Sequence, residues 1–137
     1  MKISTLVICS ISATLLVLTG CASYSSMKRM DDFNETVKTY KKMVFWSEFD
    51  SALSFREPGQ TDDKQPDMNS LKKVRITSYK VKRFIAATDK SQVQQIVEIN
   101  YYRMDDVTVK TVEDKQIWVF NSDARRWYLR SELPAFE

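Results

Sequence analysis

The chain has 137 residues, with 21 Lys and Arg against 18 Asp and Glu and a net charge of +3. This balance lacks the strongly basic patch that nucleic-acid binding requires, so no nucleic-acid partner is expected. There is no His, and there are only two Cys and two Gly. This composition excludes Ser-His and Cys-His catalysis, His-based zinc sites and glycine-rich phosphate loops. We therefore predict no cofactor and no metal site, and we assign no catalytic residue; catalysis could rest only on carboxylates, Tyr, Lys or Arg.

The first 20 residues have the layout of a secretory signal. Lys2 supplies a positive charge, an apolar run follows over residues 6–18, and the sequence turns polar directly after Cys21. The run is shorter than the roughly 20 apolar residues that a membrane-spanning helix needs. This pattern predicts a signal peptide that is removed from the mature protein.

The end of this segment, Leu18-Thr19-Gly20-Cys21, resembles the bacterial lipobox. The resemblance implies that the Cys21 thiol carries a diacylglyceryl group and that the chain is cut before Cys21. Two alternatives remain open: a signal-peptidase site that happens to contain Cys, and an N-terminal anchor helix. The lipobox interpretation divides the chain into a signal (1–20), a lipidated tether (21–30) and a folded domain (31–137).

The same interpretation predicts where the protein resides. Two or three acyl chains make an effectively permanent membrane anchor. In lipoproteins of this kind, Ala22 after the Cys, rather than Asp, is typical of the outer membrane, with the domain on the periplasmic face. Because Cys9 leaves with the signal, no disulfide is expected. Removing Lys2 leaves 20 basic and 18 acidic residues in the mature chain.

Helices are predicted in the first part of the domain. Asp32 and Glu35 fit a variant of the capping box, so a helix is expected to begin at Asp32. One face of it should carry Phe33, Val37, Tyr40 and Val44, opposite Lys38, Lys41 and Lys42. The apolar phase slips near Trp46-Ser47, which predicts a break and a second helix that stops at Pro58-Gly59. A short helical turn is expected over residues 67–73.

Strands are predicted from residue 74 to the C-terminal region, at 74–86, 92–104, 107–120 and 127–131. The apolar parity changes within the first strand, which predicts a bulge near Thr77-Ser78. Tight turns are expected at Asp105-Asp106 and at residues 121–123. The basic residues of the first strand suit an exposed edge, where charge discourages pairing with other chains; they are Lys72, Lys73, Arg75, Lys80, Lys82 and Arg83.

The predicted fold class is α+β, with an N-terminal bent helix or helix pair in the concave face of a curved, four-stranded antiparallel sheet. This arrangement resembles the NTF2-like superfamily, also called the cystatin-like cone, which includes SnoaL-type proteins. Two stretches carry the likeness, FWSEFDSALSF (45–55) and KQIWVFNSDARRWYLRSELP (115–134). Both are also similar to a group of proteobacterial lipoproteins built on this cone. The resemblance covers about residues 31–134 and implies a cone that can hold either an enzyme site or a binding site.

Two functions follow from these expectations. The first is a non-catalytic binding module that contacts an envelope protein, a second copy of itself or an apolar ligand. Its tentative surface consists of aromatic residues: Trp46, Phe49, Tyr101, Trp118 and Phe120. The alternative is a cone-type isomerase or dehydratase that uses a buried carboxylate and a Tyr. Glu48, Asp50 and Glu98 are its candidate acids, although the first two suit a helix start and Glu98 is expected on the outer sheet face.

The third strand predicts a contact surface. Trp118 and Phe120 share one parity while Ile117 and Val119 share the other, so this strand is apolar on both faces. Since only one face can pack on the helix, the other needs cover from a second subunit, from a partner protein or from the curled sheet itself.

Overall fold

Helix α1 is the longest element of the structure and spans Lys2–Phe45. In this computed structural model the backbone is described over residues 2–60 and 66–137, and the side chains from residue 24 onward within those ranges. The prediction that the helix begins at Asp32 is wrong, because the helix already runs through residues 22–31. That stretch contains neither Pro nor Gly, so no residue in it favours a helix end. Packing on the sheet begins at Arg29 and Met30.

The predicted apolar face of α1 is confirmed. Phe33, Tyr40 and Val44 are buried, and Val37 is half-buried against them. Lys38, Lys41 and Lys42 are exposed on the other side of the helix. The spacing of the apolar residues therefore gives the orientation of α1 on the sheet correctly.

The break near Trp46-Ser47 is also confirmed. Ser47 has a φ of 60°. Many helices end with a residue in this left-handed conformation, and that residue is usually Gly. The Glu48 amide donates to the Met43 carbonyl (2.8 Å), and the Ser47 amide donates to the Val44 carbonyl (2.9 Å). These are the two hydrogen bonds of a Schellman motif. A short helix α2, Phe49–Leu53, follows.

Helix α2 ends at Leu53, so the prediction that Pro58-Gly59 stops it is wrong. The Leu129 amide donates to the Phe55 carbonyl (2.8 Å), and Arg56 forms an isolated bridge with Leu129. This pairing requires extended backbone and ends the helix earlier. The predicted helical turn is confirmed as α3, Met68–Leu71, whose first turn is capped by the Asp67 carboxylate on the Asn69 amide.

The four strands are β1 (Val74–Ala86), β2 (Gln92–Arg103), β3 (Asp106–Asn121) and β4 (Arg126–Leu129). They form one antiparallel sheet in the order β1-β2-β3-β4. The sheet is not closed, since β1 and β4 are its two edges. Helix α1 packs on one face and contacts both edge strands. The α+β class and the antiparallel meander are thus as predicted.

Strand β1 changes face twice. Its register against β2 shifts between Ile76 and Ser78, which is the predicted bulge, and again between Val81 and Arg83, which was not predicted. The first shift lets Ile76 and Tyr79 both face the helix although their parities differ. The basic residues of β1 lie at this exposed edge, as expected.

The core lies between α1 and the inner face of the sheet. Trp118 is fully buried at its centre and makes edge-to-face contacts with Phe33, Tyr40 and Phe55 at centroid distances of 6.2, 5.1 and 6.3 Å. The C-terminal segment closes one end of the core, where the Phe136 ring lies 5.0 Å from Tyr101 and 5.5 Å from Phe49. Sequence analysis gave no role to Phe136.

Candidate functional site

A buried cluster of polar side chains lies on the inner face of the sheet, directly under α1. Gln116 is its centre and is 1% exposed. Its Nε2 donates to the Asp114 carboxylate (2.5 Å) and to the Tyr79 hydroxyl (2.9 Å). Its Oε1 accepts from Gln95 Nε2 (2.6 Å) and from Trp118 Nε1 (3.1 Å). Because an indole N–H only donates, the Trp118 contact fixes which end of the Gln116 amide is oxygen.

Asp114 is the one carboxylate among the buried residues of the described chain and is 3% exposed. Burial raises the pKa of Asp114 to about 6, and the hydrogen bond from Gln116 opposes this increase. The loss of hydration disfavours the charged form more than a single amide donor can stabilise it. Asp114 therefore titrates near neutral pH.

Two tyrosines lie close to this carboxylate. Burial raises the pKa of Tyr40 well above its usual value, and the charge of Asp114 adds to the effect. Burial likewise raises the pKa of Tyr79, although the hydrogen bond with Gln116 opposes the shift. The Tyr40 hydroxyl is buried and has no hydrogen-bond partner within the described part of the chain. Both phenols are therefore neutral at physiological pH.

A shallow cleft of about 260 Å³ opens beside the cluster, between α1 and β1. Tyr79 and Gln95 line its floor, and Lys38 and Lys41 line its helix side. The Lys41 ammonium lies 5.6 Å from the centre of the Tyr79 ring. Asp114 is not part of the lining, so the cleft reaches only the outer members of the polar cluster.

The three candidate carboxylates do not converge on this site. Glu48 and Asp50 are exposed at the start of α2. Glu98 lies on the outer face of the sheet and pairs with Lys82 at 3.4 Å. These positions agree with the expectation that the two acids of α2 suit a helix start and that Glu98 points outward.

The five aromatic residues of the tentative surface have different environments. Phe49, Tyr101 and Trp118 are buried and face the core. Phe120 is half-buried beneath the Arg29 guanidinium, which lies 5.2 Å from its ring centre. Trp46 is 67% exposed at the end of α1. Of these five, Trp46 has the most open surface.

Asp114, Gln116, Gln95, Tyr40 and Tyr79 were not proposed as a site from the sequence. A signal was nevertheless present, because Asp114 and Gln116 share the parity of Trp118 on β3 and therefore face the core. Polar residues on a core-facing parity require partners. The polar residues on the core-facing parity of β3, Asp114 and Gln116, are therefore a sequence signal for this cluster.

The predicted lipidation site lies outside the described side chains. Cys21 belongs to the backbone of α1, and the side chains are described from Tyr24 onward. Within the described part of the chain, no helix combines the length and apolar character needed to cross a bilayer. The lipidation of Cys21 stays a prediction.

The chain was compared with protein-family models, with curated proteins and with solved structures. None of the three comparisons finds a match.

Proposed function

We propose that this protein is a non-catalytic binding module of the cell envelope, anchored to the outer membrane through lipid on Cys21 and facing the periplasm. We also propose that its helix-on-sheet fold is an NTF2-like cone. The supporting observation for the fold is the order of elements, with α1 on one face of a four-stranded meander.

The filled interior of the domain is the observation that supports a non-catalytic function. The space between α1 and the sheet, where a cone enzyme would hold its substrate, is occupied by Trp118, Gln116 and Asp114, each no more than 3% exposed. All four hydrogen-bonding positions of the Gln116 amide are used by neighbouring side chains. A substrate would have to displace this network, and leaving buried polar groups unpaired is costly. Contacts on the outer surface require no such rearrangement.

The anchor is tested by replacing Cys21. Cys21→Ser should abolish labelling by a fatty-acid probe and leave unprocessed precursor, because serine cannot form the thioether. Cys9→Ser is the matched control and should label normally, since Cys9 lies within the signal. The measurement is metabolic labelling followed by gel analysis of precursor and mature chain. Normal labelling of the Cys21 variant, or its cleavage to a soluble protein, would contradict the proposal.

The outer face of β3 is the proposed contact surface. Ile117 is 36% exposed there, and Val119 is half-exposed on the same face. Gln94 of β2 pairs with both Ile117 and Ile85, so Ile85 (57% exposed) lies in the same row. A second copy of the chain is the simplest cover for this apolar row, because a two-fold dimer needs only one self-complementary patch. An envelope protein is the other proposed partner.

Changing Ile117 to Lys and Val119 to Thr should shift the protein from dimer to monomer, because charge at the centre of an apolar contact must be desolvated. The fold should survive, since both side chains face away from the core. The control variant carries Val107→Lys and Val109→Thr at the start of β3, on the same face but at the opposite end of the strand, where both valines are more than 60% exposed. Sedimentation and circular dichroism are the measurements. A monomeric wild type at high concentration would contradict the dimer, and a monomeric wild type together with unfolding of the Ile117 variant would contradict the contact surface.

The alternative function is a cone-type isomerase or dehydratase. One observation favours it: Asp114 is a buried carboxylate with a pKa of about 6 beside two neutral tyrosines. Such a group is suited to general acid–base chemistry. The cleft beside Tyr79 would have to open as far as Asp114 for a substrate to reach it.

A further inference from the structure

We infer that one end of the domain is a docking surface for an anionic phospholipid bilayer. This end, the anchor-side pole, carries the basic residues Lys28, Arg29, Lys90, Arg125 and Arg126. The inference rests on the membrane anchoring proposed at Cys21 and adds to it an orientation: the domain lies against the membrane with this pole rather than hanging freely from the lipid.

Arg29 joins α1 to the two turns that form the pole. Its guanidinium donates to the Asp89 carbonyl in the β1–β2 turn (3.1 Å), and its own carbonyl accepts from Trp127 Nε1 after the β3–β4 turn (2.9 Å). The Phe120 amide donates to the Ser91 carbonyl (2.8 Å), which links the two turns directly. The helix therefore enters the domain between these turns.

The direction of α1 places the membrane on this side. Residues after Arg29 lie over the sheet, where Phe33, Tyr40 and Val44 are buried. Residues before Arg29 continue the helix away from the domain, and Met27 and Tyr24 are 68% and 72% exposed. Eight residues separate Cys21 from Arg29, and at 1.5 Å per residue they span about 12 Å. A lipid on Cys21 would hold the pole close to the headgroups.

The positive charge of the pole is complementary to an anionic bilayer. The five basic side chains of the pole stand with two acids, Asp89 and Asp123, in its turns, which leaves a net charge of about +3. Asp31 and Asp32 follow Arg29 on α1, about 3 and 5 Å further into the domain, and counting them lowers the net charge to about +1. About 12 Å is longer than the Debye length of about 8 Å at physiological salt, but the long side chains shorten the gap, so anionic headgroups still attract these charges. Each basic residue near such a surface strengthens its association roughly fivefold.

Exposed apolar side chains complete the pole. Phe84 is 48% exposed and its ring lies 5.9 Å from Phe33 of α1. With Tyr24 and Met27 it gives the pole apolar side chains beside its basic ones, which is the combination that binds at a membrane interface.

Two residues allow the charge to be removed without disturbing the turns. Lys90 and Arg125 have φ values of 56° and 51°, and Asn tolerates this left-handed conformation better than most residues. Lys90→Asn with Arg125→Asn therefore removes two charges while preserving the backbone. Lys72→Asn with Lys80→Asn is the matched control, since it removes two exposed charges outside the pole.

The test uses the full lipidated chain reconstituted in phosphatidylcholine vesicles. The vesicles contain either no phosphatidylglycerol or about 30% of it, so that they differ in negative surface charge. A fluorescent probe is attached to Ala124→Cys in the β3–β4 turn, or to Ala135→Cys near the C-terminus, and quenched by a headgroup spin label. We expect the probe at position 124 to be quenched more strongly than the one at position 135, and more so with phosphatidylglycerol. In the Lys90/Arg125 variant, which lacks two of these charges, the ratio of docked to undocked domain should fall about 25-fold.

The outcomes separate the two proposals. Equal quenching at both positions in a lipidated, vesicle-bound chain would overturn the docking surface and leave the anchor intact. Quenching that ignores phosphatidylglycerol, or that falls equally in the Lys72/Lys80 control, would overturn it as well. A chain that carries no lipid and does not associate with vesicles would overturn both the anchor and the docking surface.

Discussion

Replacing Gln116 by leucine should lower the free energy of unfolding by about 4 kcal/mol, because it removes the shared partner of several buried polar groups. The amide of Gln116 bonds to Asp114, Tyr79, Gln95 and Trp118. Leucine has a similar volume but no hydrogen-bonding atoms. Each buried group left without a partner costs about 1–3 kcal/mol, and partial relaxation keeps the total below the sum. Urea unfolding at pH 7 measures the change.

The control for this variant is Gln94→Leu, and both variants are measured at a protein concentration low enough that no dimer forms, because Gln94 lies within the proposed contact surface. Gln94 is exposed on the outer face of β2, next in sequence to the buried Gln95. The same chemical change there should alter the free energy of unfolding by less than about 0.5 kcal/mol. If Gln116→Leu costs no more than Gln94→Leu, the network around Gln116 does not stabilise the fold.

Local patterns predicted the strands well because side chains on a strand alternate strictly between two faces. The predicted range of β1 matches Val74–Ala86 at both ends, and the parity change at residues 76–79 correctly indicated a bulge. The break after α1 was also predictable, since the apolar phase slips at Trp46-Ser47. The structure places the left-handed residue Ser47 at this break. These features depend on neighbours along the chain.

Features that depend on distant contacts were not predicted. The chain leaves the α2 helix early because the Phe55 carbonyl accepts from Leu129, which is 74 positions away in the sequence. The burial of Phe136 depends on Tyr101 and Phe49 together. The start of α1 differs from the prediction for a local reason: the capping pattern at Asp32 lies within a longer stretch of helix-compatible residues.

The polar cluster shows the same limit at the candidate site. The parity of β3 places Asp114 and Gln116 on the inner face, but nothing local indicates that Tyr79 and Gln95 lie within hydrogen-bonding distance of Gln116. Their convergence depends on the register of β1, β2 and β3, including the bulge that brings Tyr79 to the inner face. The acids predicted from the sequence are therefore on the surface, and the buried Asp114 was not predicted.

Asp114 should make the protein less stable as the pH rises from about 4 to about 6, and Asp114→Asn should remove this dependence. The pKa of Asp114 is about 6 in the folded chain, whereas its ordinary value, which applies to the unfolded chain, is 3.8. Between these values the folded state binds more protons than the unfolded state, so the free energy of unfolding decreases as the pH increases. The full change is up to about 3 kcal/mol, reached above pH 6.

The variant keeps the hydrogen bond from Gln116, because the Asn carbonyl oxygen can accept it. Asp114→Asn should therefore be more stable than wild type at pH 7, by up to about 3 kcal/mol, and similar to it near pH 4. Asp89, Asp105 and Asp106 have lowered pKa values from local hydrogen bonds, so their stabilising contribution is lost at lower pH in both chains and cancels in the difference. Asp31→Asn, at an exposed position, is the control for the same chemical change on the surface. Urea unfolding of the three chains from pH 4 to 8 measures the effect. If wild type and Asp114→Asn keep a constant difference across this range, Asp114 does not titrate near pH 6 in the folded protein.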